Sequence, residues 1–306
     1  MSVGRVLIIP GLKFNNPDAP KLVEVDVIES AGSLLLIDPT HPSGVWPGGI
    51  GPSGSTLRNV LWKKAQAVYG AGSEASLVPT LNYAGMSGAT GLLERSSKGG
   101  LHALVSQAPG LVSAKNTPYA RINIDLELRK WLFQNPTNDL YISIWGQVTR
   151  PYKTGVVDST YTGMSATALV ELATGGGNQR LVLGKKTEVQ NELGKLSNSE
   201  SASGPVFMNG ASRGWLTNPA LETSIFTSLL GVGNTGLNNT YTSGASTAKT
   251  RWPSWIIYRV YVEDLTVSGR TYQQVHDIDY ALYEKNVLCE GGRYYGDTYT
   301  VPSVLP

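Results

Sequence analysis

The sequence predicts a mainly β protein, an antiparallel β-sandwich with a few short helices, one of them near the C-terminus. Three observations lead to this fold class. Apolar and polar residues alternate strictly over 119–129, two further segments (140–148 and 255–262) are strand-like, and the 306 residues include 35 glycines and 17 prolines. Alternation with period two marks a strand with one buried face, because successive side chains point to opposite sides of the sheet.

The alternating segment predicts a single strand from Tyr119 to Leu128. Asp125 and Glu127 would then share its polar face, about 7 Å apart from the rise per residue. Two carboxyls at that spacing are also compatible with a catalytic pair. Because they lie opposite a clean apolar face, we interpret them as a solvated strand face.

The other strands are predicted from composition and turn residues. We expect short strands at 23–28 and 33–38, joined by Gly32. In the segment from Trp255 to Val262 both faces carry bulky side chains. That strand is therefore expected at the centre of a sheet or covered on both sides.

Three segments carry helix signals. Ser55 is a plausible N-cap of a helix that ends before Gly70. Thr271, with Gln274 three residues later, forms a capping-box pattern before the apolar stripe of the C-terminal helix. Asn218-Pro219 predicts a short helix ending near Gly231.

The predicted domain organisation has two parts. Residues 1–22 hold three prolines and little periodicity, which is typical of an extended arm lying across a neighbouring subunit. Residues 23–306 are predicted as one sandwich domain with a loop-rich insertion at about 151–251, where Gly, Ser, Thr and Asn dominate.

Composition argues against several classes of partner. Only 16% of residues are charged and the net charge is +2, whereas nucleic-acid binding draws on clustered Lys and Arg. Cys289 is the only cysteine, so no intrachain disulfide is possible. No apolar run approaches the roughly 20 residues needed to span a bilayer, so no membrane insertion is expected. The sequence also lacks a signal-peptide pattern, and we expect synthesis inside a cell.

The acidic segment Glu24-Val25-Asp26-Val27-Ile28-Glu29 resembles the E-x-D-x-x-E strand of laminarinase-like retaining glycoside hydrolases. The resemblance implies Glu24 as nucleophile, Asp26 as its supporting carboxylate and Glu29 as acid/base. Such chemistry needs two carboxyls about 5 to 5.5 Å apart. The surroundings differ, because the motif follows an irregular arm, and a solvated strand face is the preferred interpretation.

No other segment indicates a catalytic, cofactor or metal site, so none is predicted. His41, His102 and His276 are scattered without metal-ligand spacing. Gly175-Gly176-Gly177 lacks the Lys-Ser/Thr of a phosphate loop, and no G-x-S-x-G elbow is present.

Aromatic residues are abundant, with 7 tryptophans and 15 tyrosines. Trp131, Trp145, Trp252 and Trp255 are interpreted as structural. Tyr294, Tyr295 and Tyr299, in an irregular tail, are the predicted contact residues for a partner or a sugar.

Three segments of the chain, together with Trp145-Gly146, resemble virion proteins of tailed bacteriophages: Ser33 to Gly44, Tyr261 to Tyr283, and Gly291 to Asp297. The resemblance implies a concanavalin-like or jelly-roll sandwich that assembles through extended arms and surface complementarity. It carries no residue roles.

Three functions follow as hypotheses. The first is a non-enzymatic structural component of a virion, in the tail, baseplate or fibre, made in the host cytoplasm and bound to copies of itself and to neighbouring virion proteins. The second is a lectin-like module that binds host-surface glycan. The third is the glycoside hydrolase.

Overall fold

The computed structural model describes residues 26–41, 49–108, 118–151, 168–174, 179–184, 192–196, 203–214, 225–233 and 253–306. These residues form antiparallel sheets with a few helices, one of them near the C-terminus, so the predicted fold class is confirmed. The finer expectation of a jelly-roll or concanavalin-like sandwich stays a prediction. Residues 1–25, which include the predicted arm, lie outside the described part.

Thirteen strands are found in the described residues. In chain order they are β1 (Ser33–Ile37), β2 (Ser55–Thr56), β3 (Thr80–Ala84), β4 (Gly91–Arg95), β5 (Leu101–Val105), β6 (Tyr119–Asn123), β7 (Asp139–Arg150), β8 (Ala168–Thr174), β9 (Gln179–Gly184), β10 (Glu192–Leu196), β11 (Gly204–Arg213), β12 (Ile225–Gly233) and β13 (Ser254–Asp264).

The strands belong to two sheets. Sheet 1 has seven strands in the order β10-β11-β7-β13-β5-β4, and β1 also pairs with β13. Sheet 2 has six strands in the order β2-β3-β6-β12-β8-β9. Strands β8 to β12 come from the predicted insertion at 151–251, and β11 and β12 pair with β7 and β6 outside it. The domain boundaries stay a prediction.

β13 is the central strand of sheet 1. It pairs with β7 from Ser254 to Asp264, and its other edge pairs with β5 and then with β1. All of its residues are buried, as the bulky side chains on both of its faces predict. The sheet therefore has an inner face and an outer face, and both are covered.

The inner face of sheet 1 shares the main apolar core with sheet 2. Leu81 and Ile122 of sheet 2 belong to the same buried cluster as Ile142, Trp255 and Val262 of sheet 1. Burial of such side chains is worth about 1.5–3 kcal/mol each, so this shared core is the main stabilising element of the fold.

The helices are short. They are α1 (Trp62–Tyr69), α2 (Leu126–Gln134), α3 (Leu265–Ser268) and α4 (Tyr272–Tyr283), which continues as a π-helical turn (Glu284–Leu288); a 3₁₀ turn (Pro302–Val304) follows. The capping box of α4 is present as predicted, since Thr271 accepts from the Gln274 amide and Gln274 accepts from the Thr271 amide.

Helix α4 and the residues after it cover the outer face of sheet 1. Val275 packs with Tyr141 and Tyr261 in one buried cluster. Tyr283 and Tyr294 pack with other outer-face side chains, such as Tyr258, in a second cluster. Sheet 1 therefore lies between sheet 2 and the C-terminal helix.

The prediction of one strand from Tyr119 to Leu128 is wrong in its second half. β6 ends at Asn123, and α2 begins at Leu126. Asp125 caps this helix, because its carboxylate accepts a hydrogen bond from the Leu128 amide at 2.8 Å. Asp125 and Glu127 thus belong to a helix N-terminus, where carboxylates are favourable, and do not share a strand face.

Three other local predictions need correction. Ser55 lies in β2 and α1 begins at Trp62, although Gly70 ends that helix in the left-handed conformation as expected. Residues 26–28, the described part of the strand predicted at 23–28, form a turn. Residues 225–231, the described end of the helix predicted after Asn218, belong to β12.

The side chains of β13 do not alternate regularly between the two faces of sheet 1 along the whole strand. Alternation predicts Ile256, Tyr258 and Val260 on one face, but a bulge between Ile257 and Arg259 shifts the register. Trp255 and Val260 consequently lie in the inner core, whereas Ile256 and Tyr258 lie in the outer cluster. A bulge turns the side chains next to it, and here it bears on the placement of Arg259.

Candidate functional site

Arg259 is the centre of a buried charged cluster next to this bulge. Its side chain is only 2% exposed. Its guanidinium lies 4.5 Å from the ring centroid of Trp145, which is within the range of a cation–π interaction. A charge at this depth needs counter-charges, and three carboxylates supply them.

Asp26 is the first counter-charge of Arg259. Its two oxygens accept hydrogen bonds from the two terminal guanidinium nitrogens at 2.8 and 2.9 Å. This is the bidentate geometry that makes Arg–carboxylate pairs strong. Burial alone would raise the pKa of Asp26, but the hydrogen bonds and charge of Arg259 outweigh burial and lower it.

Asp38 is the second counter-charge. Its Oδ2 lies 3.5 Å from Nη1 of Arg259 and accepts from Arg293 at 2.8 Å. Its Oδ1 accepts from the hydroxyl of Tyr294 at 2.9 Å. One fully buried carboxylate thereby connects the end of β1 to β13 and to the chain after α4.

Asp279 of α4 is the third carboxylate. It accepts from the indole N–H of Trp145 at 2.9 Å and from the hydroxyl of Tyr141 at 3.0 Å. Burial raises its pKa, and the positive charge of Arg259 opposes that rise. Burial likewise disfavours the charged form of Arg259, but Asp26, Asp279 and Asp38 together raise its pKa.

These residues form what we call the Arg259 cluster: Arg259, Asp26, Asp38, Asp279, Arg293 and Trp145. Each member holds another member that is distant in sequence, and the carboxylates are occupied by donors of the protein itself. The cluster therefore joins the 26–41 segment, β7, β13, α4 and the residues after α4.

The structure overturns the predicted geometry of the acidic motif. Glu24 lies outside the described residues. Asp26 lies in a turn in which its carbonyl accepts from the Glu29 amide at 2.9 Å, and its carboxylate is taken by Arg259. Glu29 forms an ion pair with Lys64 at 3.0 Å. Asp26 and Glu29 therefore do not lie on a strand as they do in the hydrolase family.

A second polar cluster lies at the far edge of sheet 1. His102 of β5 is fully buried and joins Glu94 of β4, at 2.8 Å, to Thr149 of β7, at 3.0 Å. Residues 297–306, which we call the strap, cross these strands. Thr300 of the strap donates to Glu94 from both its amide and its hydroxyl, at 2.9 and 2.7 Å.

The three histidines remain apart, as their sequence positions suggest. His41 lies 3.7 Å from Asp26, whereas His276 lies on α4, next to Asp277. Within the described residues, histidine, cysteine and acidic side chains form no group that could hold a metal ion. Gly175-Gly176-Gly177 lies outside the described part.

The aromatic predictions are partly right. Trp145 and Trp255 are fully buried, and Trp131 donates its indole N–H to Asp264 at 2.9 Å, so these tryptophans are structural. Trp252 lies outside the described residues. Tyr294, predicted as a contact residue, is buried at 1% exposure, because its ring stacks on Tyr258.

The remaining two tyrosines differ from each other. Tyr295 is 44% exposed and stays available for contact. Tyr299 belongs to the strap, and its ring packs against the ring of His102 in β5.

One feature of the sequence does indicate the Arg259 cluster. Arg259 stands within a run of bulky strand residues that we expected to be covered on both faces. An Arg in such a strand requires buried partners, since charged residues are almost never fully buried unless paired. The partners themselves had no local signal, because Asp26 lies 233 positions away.

Comparisons with protein-family models, with curated proteins and with solved structures give no match. Among the described residues, none of the helices is long and apolar enough to cross a membrane.

Proposed function

We propose that this chain is a non-enzymatic structural component of a bacteriophage virion, in the tail, baseplate or fibre, that acts through contacts with copies of itself and with neighbouring virion proteins. The observation that supports this proposal most directly is that the protein uses its buried charged groups to hold its own segments together. Among the described residues, the carboxylates of Asp26, Asp38 and Asp279 are bound by donors of the protein itself and hold distant segments together.

The cross-linked outer layer gives this proposal a physical basis. The Arg259 cluster ties α4 to sheet 1, and the strap is tied to β4 through Glu94 and to β7 through Arg150. A subunit whose C-terminal segment is fastened to its sheet can transmit load to a neighbour without unfolding. Exposed apolar side chains such as Val27, Val301 and Val304 are available for subunit contacts.

The proposal predicts a fixed position in the particle. Antibodies raised against this chain should label purified phage particles at the tail, baseplate or fibre in electron micrographs. Particles opened by mild denaturant serve as the control for hidden epitopes. If neither intact nor opened particles bind the antibody, the chain is not a virion component and the proposal fails.

A second candidate function, binding of host-surface glycan, is favoured by two exposed aromatic rings. Tyr295 is 44% and Tyr280 37% exposed. Aromatic faces stack on sugar rings, and a tyrosine adds a hydroxyl for hydrogen bonding.

Glycan binding predicts that Tyr295→Ala weakens saturable binding to a glycan array at least about tenfold, the loss expected from one stacking contact of about 1.4 kcal/mol. Val301→Ala truncates an apolar side chain that is at least as exposed, and it should leave binding unchanged. Wild-type protein that binds no glycan, or a Tyr295→Ala variant that binds as wild type does, removes this candidate and leaves the structural role.

A further inference from the structure

A continuous hydrogen-bonded path leads from the interior of sheet 1 to the strap. The hydroxyl of Thr149 lies 3.0 Å from Nε2 of His102, and Nδ1 of His102 lies 2.8 Å from Oε1 of Glu94. The same Oε1 accepts from the amide of Thr300 in the strap at 2.9 Å. A neutral imidazole satisfies this path, with Nδ1–H donating to Glu94 and Nε2 accepting from Thr149.

The strap is attached mostly by polar contacts of this kind. Asp297 accepts from the Ser97 hydroxyl and the Lys98 amide at 3.0 and 2.8 Å, and the Arg150 guanidinium donates to backbone carbonyls of the strap. Leu305 is buried, but Val301 and Val304 are 58% and 54% exposed. The loss of polar contacts can therefore release the segment while the main apolar core stays closed, although Tyr299 then leaves the edge of the outer cluster.

We propose that the strap is an acid-released latch: protonation of the His102–Glu94 pair undocks residues 297–306 from sheet 1. The latch requires no partner and is independent of the virion role. When the strap undocks, the part of sheet 1 that it covers becomes exposed, so this exposure depends on pH.

The groups around His102 come from four elements. Glu94 faces it from β4 and Thr149 from β7, and the strap contributes Tyr299 and Asp297. From β13, Ile256 is its register partner, and the phenol of Tyr258 faces Asp297 and Tyr299 of the strap.

Two pKa shifts at this cluster have the same direction. Burial lowers the pKa of His102 below its ordinary 6.5, although the hydrogen bond and charge of Glu94 and the charge of Asp297 oppose this. Burial would raise the pKa of Glu94, but hydrogen bonds from His102 and Thr300 lower it below 4.5.

Both shifts favour release in acid. A docked strap favours the deprotonated form of both groups, because Thr300 of the strap donates twice to Glu94 and Tyr299 of the strap packs against His102. Undocking removes these contributions, so each pKa moves toward its ordinary value. The docking contribution of His102 is therefore present at neutral pH and is lost as the pH falls below 6.5; that of Glu94 is lost below 4.5.

Hydrogen exchange on the full chain tests the latch. The amides of Thr298 and Thr300, which donate to Ser97 and Glu94, report strap docking, and the amides of α4 serve as the internal reference. Between about pH 7.5 and about pH 5.5, after correction for intrinsic rates, strap protection should fall by up to about tenfold, because free histidine is about ten-to-one protonated one unit below its pKa. Protection of α4 should not change.

Three variants identify the titrating groups. His102→Asn keeps a donor toward Glu94 but cannot titrate, so the pH dependence should disappear. His276→Asn changes a histidine on α4 and should leave the dependence as in wild type. Glu94→Gln should reduce strap protection already at neutral pH, since a neutral amide cannot accept from His102 and Thr300 as a carboxylate does.

Two results overturn the proposal. The first is a change of less than about twofold, between about pH 7.5 and about pH 5.5, in the hydrogen-exchange protection of the strap amides of the wild type. Such a change is well below the tenfold limit. The other is a loss of strap and α4 protection together, which indicates general unfolding. Because both are measured on wild type, the test stands even where a variant fails to fold.

Discussion

Replacing Arg259 with Met should lower the free energy of unfolding by about 3–5 kcal/mol, because removing one partner leaves buried carboxylates without their charge and donors. Asp26 loses both of its guanidinium hydrogen bonds, and Asp279 loses a nearby positive charge. A domain of this kind is stable by only about 5–15 kcal/mol, so the loss is a large part of the total. Urea denaturation followed by tryptophan fluorescence measures it.

The matched control is Arg58→Met. Arg58 forms an ion pair with Glu74 at 2.8 Å, but the two side chains are 45% and 50% exposed. An exposed pair is worth about 1 kcal/mol or less, because water screens it and ordering two long side chains costs entropy. Equal losses for the two variants would show that the burial of Arg259 has no energetic consequence, contrary to our account.

The Arg259→Met effect should also depend on pH with a defined sign. In wild type the pKa of Asp26 lies below its ordinary 3.8, so its contribution to stability is present above that value and is lost as the pH falls through the lowered pKa. The variant lacks this contribution at every pH. The difference between wild type and variant should therefore narrow on acidification below 3.8. A difference that widens would contradict the assignment of Asp26 as the main partner.

The elements that sequence predicted well are those whose signals are local. The capping box, which spans only Thr271 to Gln274, specifies where α4 begins. The apolar run of β13 specifies a strand that is covered on both faces. Both depend on neighbours along the chain, and both are found where the pattern puts them.

The segment after Tyr119 shows why a local signal can mislead. Strict alternation continues past the real end of β6, because Leu128 satisfies both the strand period and the helix period that continues to Leu132. The decisive feature is Asp125, a preferred N-cap residue whose carboxylate holds the Leu128 amide. The cap and the core contacts of α2 determined the outcome, and the alternation alone did not distinguish the two.

The polar clusters could not be predicted because their members meet only in the fold. His102 and Thr149 lie on different strands, and Glu94 meets Thr300 through the path of the strap. The bulge beside Arg259 adds a further difficulty, since one extra residue exchanges the two faces of β13. A single sequence gives no register from which such a shift can be deduced.

The second large loss of stability is expected when Trp145 is replaced, and Trp255 provides the matched control. Both side chains are fully buried, but the indole N–H of Trp145 donates to Asp279 at 2.9 Å, whereas that of Trp255 has no hydrogen-bond partner among the described residues. Trp145→Phe should lower the free energy of unfolding by about 3 kcal/mol, of which about 1 is the smaller ring and the rest the lost donor and the weaker cation–π contact with Arg259.

Trp255→Phe makes the same change in size at a site where no hydrogen bond is lost. It should cost at most about 1 kcal/mol, the same ring contribution as at Trp145, because removing a buried unpaired N–H offsets part of the cavity term. Thermal and urea denaturation of the two variants give the difference directly. Since ring volume and burial are matched, a difference of about 2 kcal/mol or more measures the contacts of Trp145 with Asp279 and Arg259 together with the smaller gain from removing the unpaired N–H of Trp255. Equal losses would mean that packing alone fixes α4 on sheet 1 and that the Arg259 cluster does not hold it there.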